Sequence, residues 1–398
     1  MTADELIGGL DWALRAREMA DHLARLGVLL TPEWRTAVEE TPRHHFVSRE
    51  DLGLASTEPQ VWLDSVYSDT TLVVQRRSRS AEVWGSGEND ALPTSSSTMP
   101  SLMVEMLELL HVQPGHRVLE IGTGTGYNAA LLSHRLGHKN VVSIDIDPDL
   151  VDIAKSRMAA LGYAPTLQVG DGRAGVPEHC PYDRIIATCA VSDVPLAWIE
   201  QLVPGGSMLI NLRGEFAGVL CFLTKHDDEV VGPVVRSGKN FMWMRKELLN
   251  PLRGDESPTV VRARNVSRRT TELSPQEIIE QADFHWFAQL EIPGVRAISE
   301  TKIFDPLARK TRPGILIYAE DGSHAQVMRQ PEPDGRYRVI QGGGNRRLWD
   351  TIEIAYAEWT RLGRPSPLRF GVVANPTVEF AWLDDDTAWP RWPLPLAS

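Results

Sequence analysis

The segment HRVLEIGTGTGYNAALLSHRLG, His116 to Gly137, constrains this chain more than any other. Val118, Leu119 and Ile121 make a short apolar run of the kind found in buried strands. Gly122, Gly124 and Gly126 then permit a turn that side chains with a Cβ would obstruct. Ala129, Ala130, Leu132 and Leu136 continue with helical character as far as Gly137. A second unit follows directly. NVVSID is a β-branched strand ending at Asp145, and DPDLVDIAKSRMAALG is a helix with Asp147 as cap, Pro148 in its first turn and Gly162 at its end. Strands recur at TLQVG, DRIIAT and SMLINL, with a helix between the last two. This alternation predicts a doubly wound parallel sheet, a Rossmann-like α/β fold.

A glycine turn serves dinucleotides as well as other nucleotides, so it does not choose the ligand alone. The neighbouring acids do. Glu120 stands two residues before the first glycine, Asp145 ends the second strand where it can accept from both ribose hydroxyls, and Asp171 follows the third strand. A pyrophosphate favours a helix N-terminus free of carboxylates. S-adenosylmethionine carries a sulfonium and no phosphate, so the acids favour the methyl donor over NAD. The candidate cofactor-binding residues are Glu120, Gly122, Thr123, Gly124, Gly126, Tyr127, Asp145, Asp171 and Gly172, the last leaving room for a flat base. Some residues also carry plain structural readings. Asp147 reads as a helix cap and Asp183 as the start of the fourth strand. Glu120 can fix the glycine turn by accepting backbone N–H groups, and Tyr127 can pack the first helix.

Composition narrows the rest. A net charge of −12 opposes non-specific attraction to nucleic acid. No apolar run approaches membrane-spanning length, and the N-terminus lacks the pattern of a signal peptide, so a cytoplasmic location with no membrane partner is expected. Cys180, Cys189 and Cys221 form no close pair and read as reduced core or near-core thiols. His134 and His138 read as a solvated helix end, and no metal site is expected. Between Arg236 and Arg269 nine Arg and Lys residues face three acids, which suits an acidic partner or a solvated loop.

Beyond about Thr224 the chain changes character. RPGILIYAEDGSHAQVM and GRYRVIQGG suggest a small antiparallel sheet turning at Asp321-Gly322. RRLWDTIEIAYAEWTR is a helix with Leu348, Ile352, Ala355, Tyr356 and Trp359 on one face, and LRFGVVA and EFAWLD are further strands. Two domains are expected, 1–224 and 225–398, the second an α+β module with its own core.

The segments VLEIGTGTGYNAALL, VGDGRAGVPEHCPYDRIIAT and WIEQLVPGGSMLINL, with Asp145 between, resemble the protein-L-isoaspartate O-methyltransferase family in order and spacing, as do TPRHHFV and VYSDTTLV upstream. The resemblance covers about Leu26 to Leu212. It implies a methyltransferase domain that uses S-adenosylmethionine, releases S-adenosylhomocysteine and methylates a carboxylate. The family's Ser-x-Pro acceptor motif reads Thr98-Met99-Pro100 here, which makes Thr98, with Ser97 beside it, the candidate catalytic pair, although Thr98 can also be a helix cap. Ser95 and Ser96 read as loop residues bonding to backbone. A polar insertion before the hydroxyl run and the long C-terminal region depart from minimal repair enzymes. The tail segments RRLWDTIEIAYAEWTRLGRPSPLRFGVV and AWLDDDTAWPRWPLP, together with PTSSSTMPSL, resemble family members encoded beside ATP-grasp ligases in graspetide clusters, with relatives in lanthipeptide and lasso-peptide pathways. That narrower likeness implies methylation of an aspartate in a ribosomally made, macrocyclised, acidic precursor peptide, leading to aspartimide or isoaspartate, with the C-terminal module recognising the peptide. Deletion after Thr224 is then expected to abolish peptide methylation and spare cofactor binding. The alternatives are isoaspartate repair in damaged proteins, an NAD-dependent oxidoreductase, and a silent peptide-binding protein.

Overall fold

The computed structural model describes residues 11–55, 57–78, 91–238, 240–245, 266–305, 310–319, 321–384, 391–394 and 396. Among the described residues three α-helices come first: α1 (Trp12–Arg25), α2 (Pro32–Glu40) and α3 (Pro59–Val66). Asp11 caps α1 through Leu14 N, and prolines open α2 and α3 where no N–H is needed. Next is a hairpin of β1 (Leu72–Ser78) and β2 (Ala91–Ser97), then α4 (Pro100–Leu109).

The glycine-turn unit is β3 (Val118–Ile121) leading to α5 (Tyr127–Leu136). The next is β4 (Val141–Asp145) leading to α6 (Pro148–Ala160), whose cap is Asp147 as expected. After these come β5 (Thr166–Val169), β6 (Tyr182–Val191), α7 (Leu196–Gln201) and β7 (Leu202–Arg213). Strands β5, β4, β3, β6 and β7 lie side by side in that order and in parallel. The expected α/β sheet is present.

The sheet does not end there. Strand β8 (Gly218–His226) runs antiparallel to β7, and β9 (Glu229–Ser237) to β8. The expected border at 224/225 therefore falls within a strand. After β10 (Val266–Thr271) come α8 (Pro275–Glu280) and α9 (Ala282–Glu291). Then follow β11 (Val295–Asp305), β12 (Lys310–Ala319), β13 (His324–Met328), β14 (Tyr337–Gly342) and α10 (Leu348–Arg361). Strands β10 to β14 form a separate antiparallel sheet, but β15 (Phe370–Ala374), β16 (Glu379–Leu383) and β17 (Arg391–Pro393) return to extend the first beyond β9. One mixed sheet thus carries ten strands.

Alternation along the strands sends side chains to two cores. Val118, Ile186 and Leu209 face one side, with Trp34, Trp62 and Leu107 from the N-terminal helices. Leu119, Ile185 and Met208 face the other, with Trp198, Phe287 and Trp349. Most of the C-terminal segment's buried apolar side chains therefore join the sheet's core, because its helices need an apolar surface and the strand faces supply it, while Ile303, Met328 and Ile340 form a small cluster apart. Of the tryptophans there, Trp349, Trp359 and Trp392 are buried, and Trp389 lies outside the described residues. The basic stretch falls mostly outside them too. Among the described residues no helix is long and apolar enough to cross a membrane.

Candidate active site

At the carboxyl ends of β3, β4 and β6 lies a cleft of about 220 Å³. Of the expected cofactor residues, Glu120, Gly122, Thr123, Gly124, Tyr127, Asp145 and Gly172 line it, and so do Ser97 and Thr98. Gly126 and Asp171 do not. Gly126 has a φ of 88° and starts α5 at a point where a Cβ would stand 3.0 Å from Ala154 Cβ of α6, so its smallness serves helix packing. Asp171 instead caps the short turn Gly172–Ala174 through Arg173 N, at 2.9 Å.

Alternation in β3 turns Glu120 toward α5, where it is fully buried. Its oxygens accept from Asn128 Nδ2 and Ser143 Oγ, each at 2.6 Å. These are side-chain donors, not the backbone N–H groups expected. Burial pushes its pKa up to about 7, against the pull of the two donors. Asp145 accepts from Gly124 N at 2.9 Å and Asp147 N at 3.1 Å, and burial raises its pKa as well. Each of its oxygens keeps a lone pair for a further donor. Asp147, besides capping α6, accepts from Gln75 Nε2 at 3.0 Å. Asp183 accepts from Arg117 N within β6, which is its structural reading.

The hydroxyl run is not a loop. Ser95 to Ser97 belong to β2, which passes over the glycine turn, with Ser95 Oγ 3.7 Å from the place a Gly124 Cβ would take. Thr98 follows the strand, and the cap position of α4 is Met99, with no side-chain cap bond. Thr98 is therefore not a helix cap. The Tyr127 ring packs 5.6 Å from that of Phe46, while its buried hydroxyl has no partner among the described residues.

One wall was not foreseen. Residues Asn240 to Arg245 line the cleft because Trp243 bridges Ala190 of β6, with Ala190 N donating to Met242 O and Met244 N to Ala190 O. Arg245 Nη2 donates to Thr94 O at 3.3 Å. No motif marks these six residues; tertiary pairing alone brings them in. Thr188, also unforeseen, donates to Gly122 O at 2.8 Å and closes the turn from β6. Of the cysteines, Cys189 lines the cleft and Cys221 is buried, but Cys180 is exposed, unlike the near-core thiol expected.

The lining suits a methyl donor with a sulfonium. Asp145 and an open glycine turn face the space, the carboxyl of Glu120 is buried in the wall behind, and Arg245 is the only cation among the described lining residues. Asp145 has the acceptor capacity that two ribose hydroxyls need. Parallel strands, a glycine turn and acids at successive strand ends are together those of an S-adenosylmethionine-dependent methyltransferase fold.

The protein-L-isoaspartate(D-aspartate) O-methyltransferase family matches residues 14–238. The protein-L-isoaspartate O-methyltransferase of Methanopyrus kandleri is 32% identical over 218 residues, 54% of this chain and 84% of the relative. That of Thermotoga maritima is 35% identical over 227 residues, 56% of this chain and 61% of the relative. A solved protein-L-isoaspartate O-methyltransferase superposes with a TM-score of 0.51 at 24% identity, covering 90% of this chain and 96% of its own, so the likeness in fold extends into the C-terminal part. The chain belongs to the protein-L-isoaspartate O-methyltransferase family, whose members are S-adenosylmethionine-dependent carboxyl O-methyltransferases. That membership sets aside the oxidoreductase alternative.

Proposed function

We propose that this protein methylates the α-carboxylate of an L-isoaspartyl residue in a peptide or protein. One observation carries the choice of a carboxylate. No imidazole lines the cleft among the described residues, and the lining beside Ser97 and Thr98 offers hydroxyls, amides and apolar groups. An acceptor there has to arrive already ionised, and carboxylates with pKa values of about 3.3 to 3.9 do so at neutral pH. Asp145 would hold the ribose hydroxyls and the turn from Gly122 to Gly124 the chain of the donor. S-adenosylmethionine supplies the electrophilic methyl: a C–O bond forms to the carboxylate, the C–S bond breaks, its electron pair stays on sulfur and no proton moves. Ser97 and Thr98 would donate to the carboxylate and set it in line. Positioning of this kind is worth effective molarities on the order of 10⁵ to 10⁸ M.

The resulting ester is open to attack by the following backbone nitrogen. A C–N bond closes a five-membered imide, the ester C–O bond breaks, and the amide proton leaves with the alkoxide as methanol. Hydrolysis of the imide gives aspartate or isoaspartate.

A second reading rests on Thr98 standing where the family motif has serine. Its extra methyl narrows the acceptor end and can favour an ordinary aspartate, as in a precursor peptide already cyclised by an ATP-grasp ligase. Incubation of the full chain and labelled methyl donor with matched isoaspartyl and aspartyl hexapeptides separates the two. Turnover of the isoaspartyl peptide alone supports repair; turnover of the aspartyl peptide alone overturns it in favour of the peptide-modifying reading.

A further inference from the structure

Arg43, in the turn after α2, is fully buried, yet no carboxylate lies within ion-pairing distance of it among the described residues. Its Nη1 donates to Val66 O at 2.5 Å and Ser68 O at 3.3 Å. Its Nη2 donates to Ser97 Oγ at 3.2 Å and Thr98 O at 3.0 Å, and its Cζ lies 5.8 Å from the Tyr127 ring centre. Asp69, which acts on it from further off, accepts from Ser101 N. A buried guanidinium stays charged and is costly unless an anion meets it. The arrangement has a second consequence. By donating to Ser97 Oγ, Arg43 occupies a lone pair there, and nothing among the described residues accepts the Ser97 proton. The buried hydroxyl of Tyr127, also without a partner among them, lines the same end of the cleft.

We propose that Arg43 is a positioning residue for the acceptor: it fixes Ser97 so that the hydroxyl hydrogen faces the acceptor carboxylate, and its buried positive charge, set behind Ser97, polarises that hydroxyl toward an anion. The proposal rests on the carboxylate reading above. It makes Ser97 a donor to the acceptor in its own right, beside Thr98. Arg43 touches neither substrate nor donor and acts through β2.

Steady-state methylation of the isoaspartyl hexapeptide by the full chain, together with calorimetric binding of S-adenosylhomocysteine, tests this. Arg43→Met is expected to raise the acceptor KM about tenfold or more, with kcat within about threefold and S-adenosylhomocysteine affinity within about twofold. Arg43→Lys, which keeps the charge, restores part of the loss. In a Ser97→Ala background, Arg43→Met adds less than about threefold, because the two residues act as one unit. An unchanged acceptor KM in Arg43→Met overturns the proposal, and so does a parallel loss of S-adenosylhomocysteine affinity, which marks a structural role. If Arg43→Met does not fold, Arg43→Gln takes its place against Arg43→Lys with the same expectations. Absent wild-type turnover of both hexapeptides defeats the acceptor reading and this inference with it. Wild-type turnover with a flat response to the Arg43 variants defeats this inference alone.

Discussion

A carboxyl group enclosed with two neutral donors and no cation, as at Glu120, binds its proton more tightly in the folded chain than in the unfolded one. With a folded pKa of about 7 against an ordinary 4.5, the folded state carries the extra proton between those values. Its contribution to stability is present in full below pH 4.5 and is lost as pH rises to about 7. Glu379, pushed up to about 7 by burial near β16, acts in the same direction. Glu120→Gln should therefore flatten the fall in stability between pH 5 and 8, by an amount on the order of 3 kcal/mol of unfolding free energy. Parallel melting curves for wild type and variant would check it, and identical slopes would refute the assignment. Asp145→Ala removes the acceptor proposed for the ribose hydroxyls and should weaken S-adenosylhomocysteine binding at least about tenfold by calorimetry. Thr98→Ser should relax discrimination between aspartyl and isoaspartyl hexapeptides; an unchanged ratio in competition would show that its methyl is not the selector. At this scale the glycine turn and the acid ending β4 were legible as residues of the cleft wall, because a strand, a glycine turn and a helix in succession fix where that wall lies. Gly126 and Asp171 stand outside the cleft lining, and packing against α6 and capping a short turn call for the same residue types in the sequence.

The hairpin of β1 and β2 ties the two ends of the cleft together. Thr94 Oγ1 donates to Gln75 Oε1 at 2.6 Å, and Gln75 Nε2 donates onward to Asp147, whose N–H meets Asp145. The element that carries Ser97 is thus anchored to the loop that follows Asp145, so that the proposed acceptor and donor ends are joined. Gln75→Ala breaks both side-chain bonds, each worth about 1 kcal/mol, and should weaken donor affinity and raise acceptor KM together, several-fold each. A change in only one of the two would show that the anchor serves that side alone. The sequence hid this strand. Serine and proline disfavour sheets, and Pro93 is tolerated because the hairpin has only two strands. By contrast α6 and α10 were read correctly because caps and a sustained apolar face repeat the same information several times.

Across the whole molecule, the ten-stranded sheet governs what can be removed. Cutting after Thr224 would sever β8, strip β9 and β15 to β17 from the sheet, and take Phe287 and Trp349 out of the core that Leu119, Ile185 and Met208 share with Trp198. A chain of residues 1–224 should therefore lose S-adenosylhomocysteine binding along with peptide methylation, contrary to the expectation from sequence. Retained binding at wild-type affinity would show that the parallel half stands alone. Trp349→Ala should cost about 3–5 kcal/mol and lower one shared transition in calorimetry; a separate low-temperature transition would show an independent C-terminal unit. The boundary was illegible because a change in composition marks where the helices and small sheet begin, whereas strand pairing between distant segments leaves no local trace.

That pairing also bears on how the protein comes to be made. Val230 of β9 meets Ala374 of β15, so the edge of β9 waits unpaired while the ribosome completes all of the intervening chain. A nascent polypeptide stalled before Phe370 presents a sheet edge that can recruit a neighbouring chain, and contacts this remote in sequence form slowly. Synthesis rate and chaperone supply, more than the chemistry of the cleft, would then decide how much active enzyme a cell recovers.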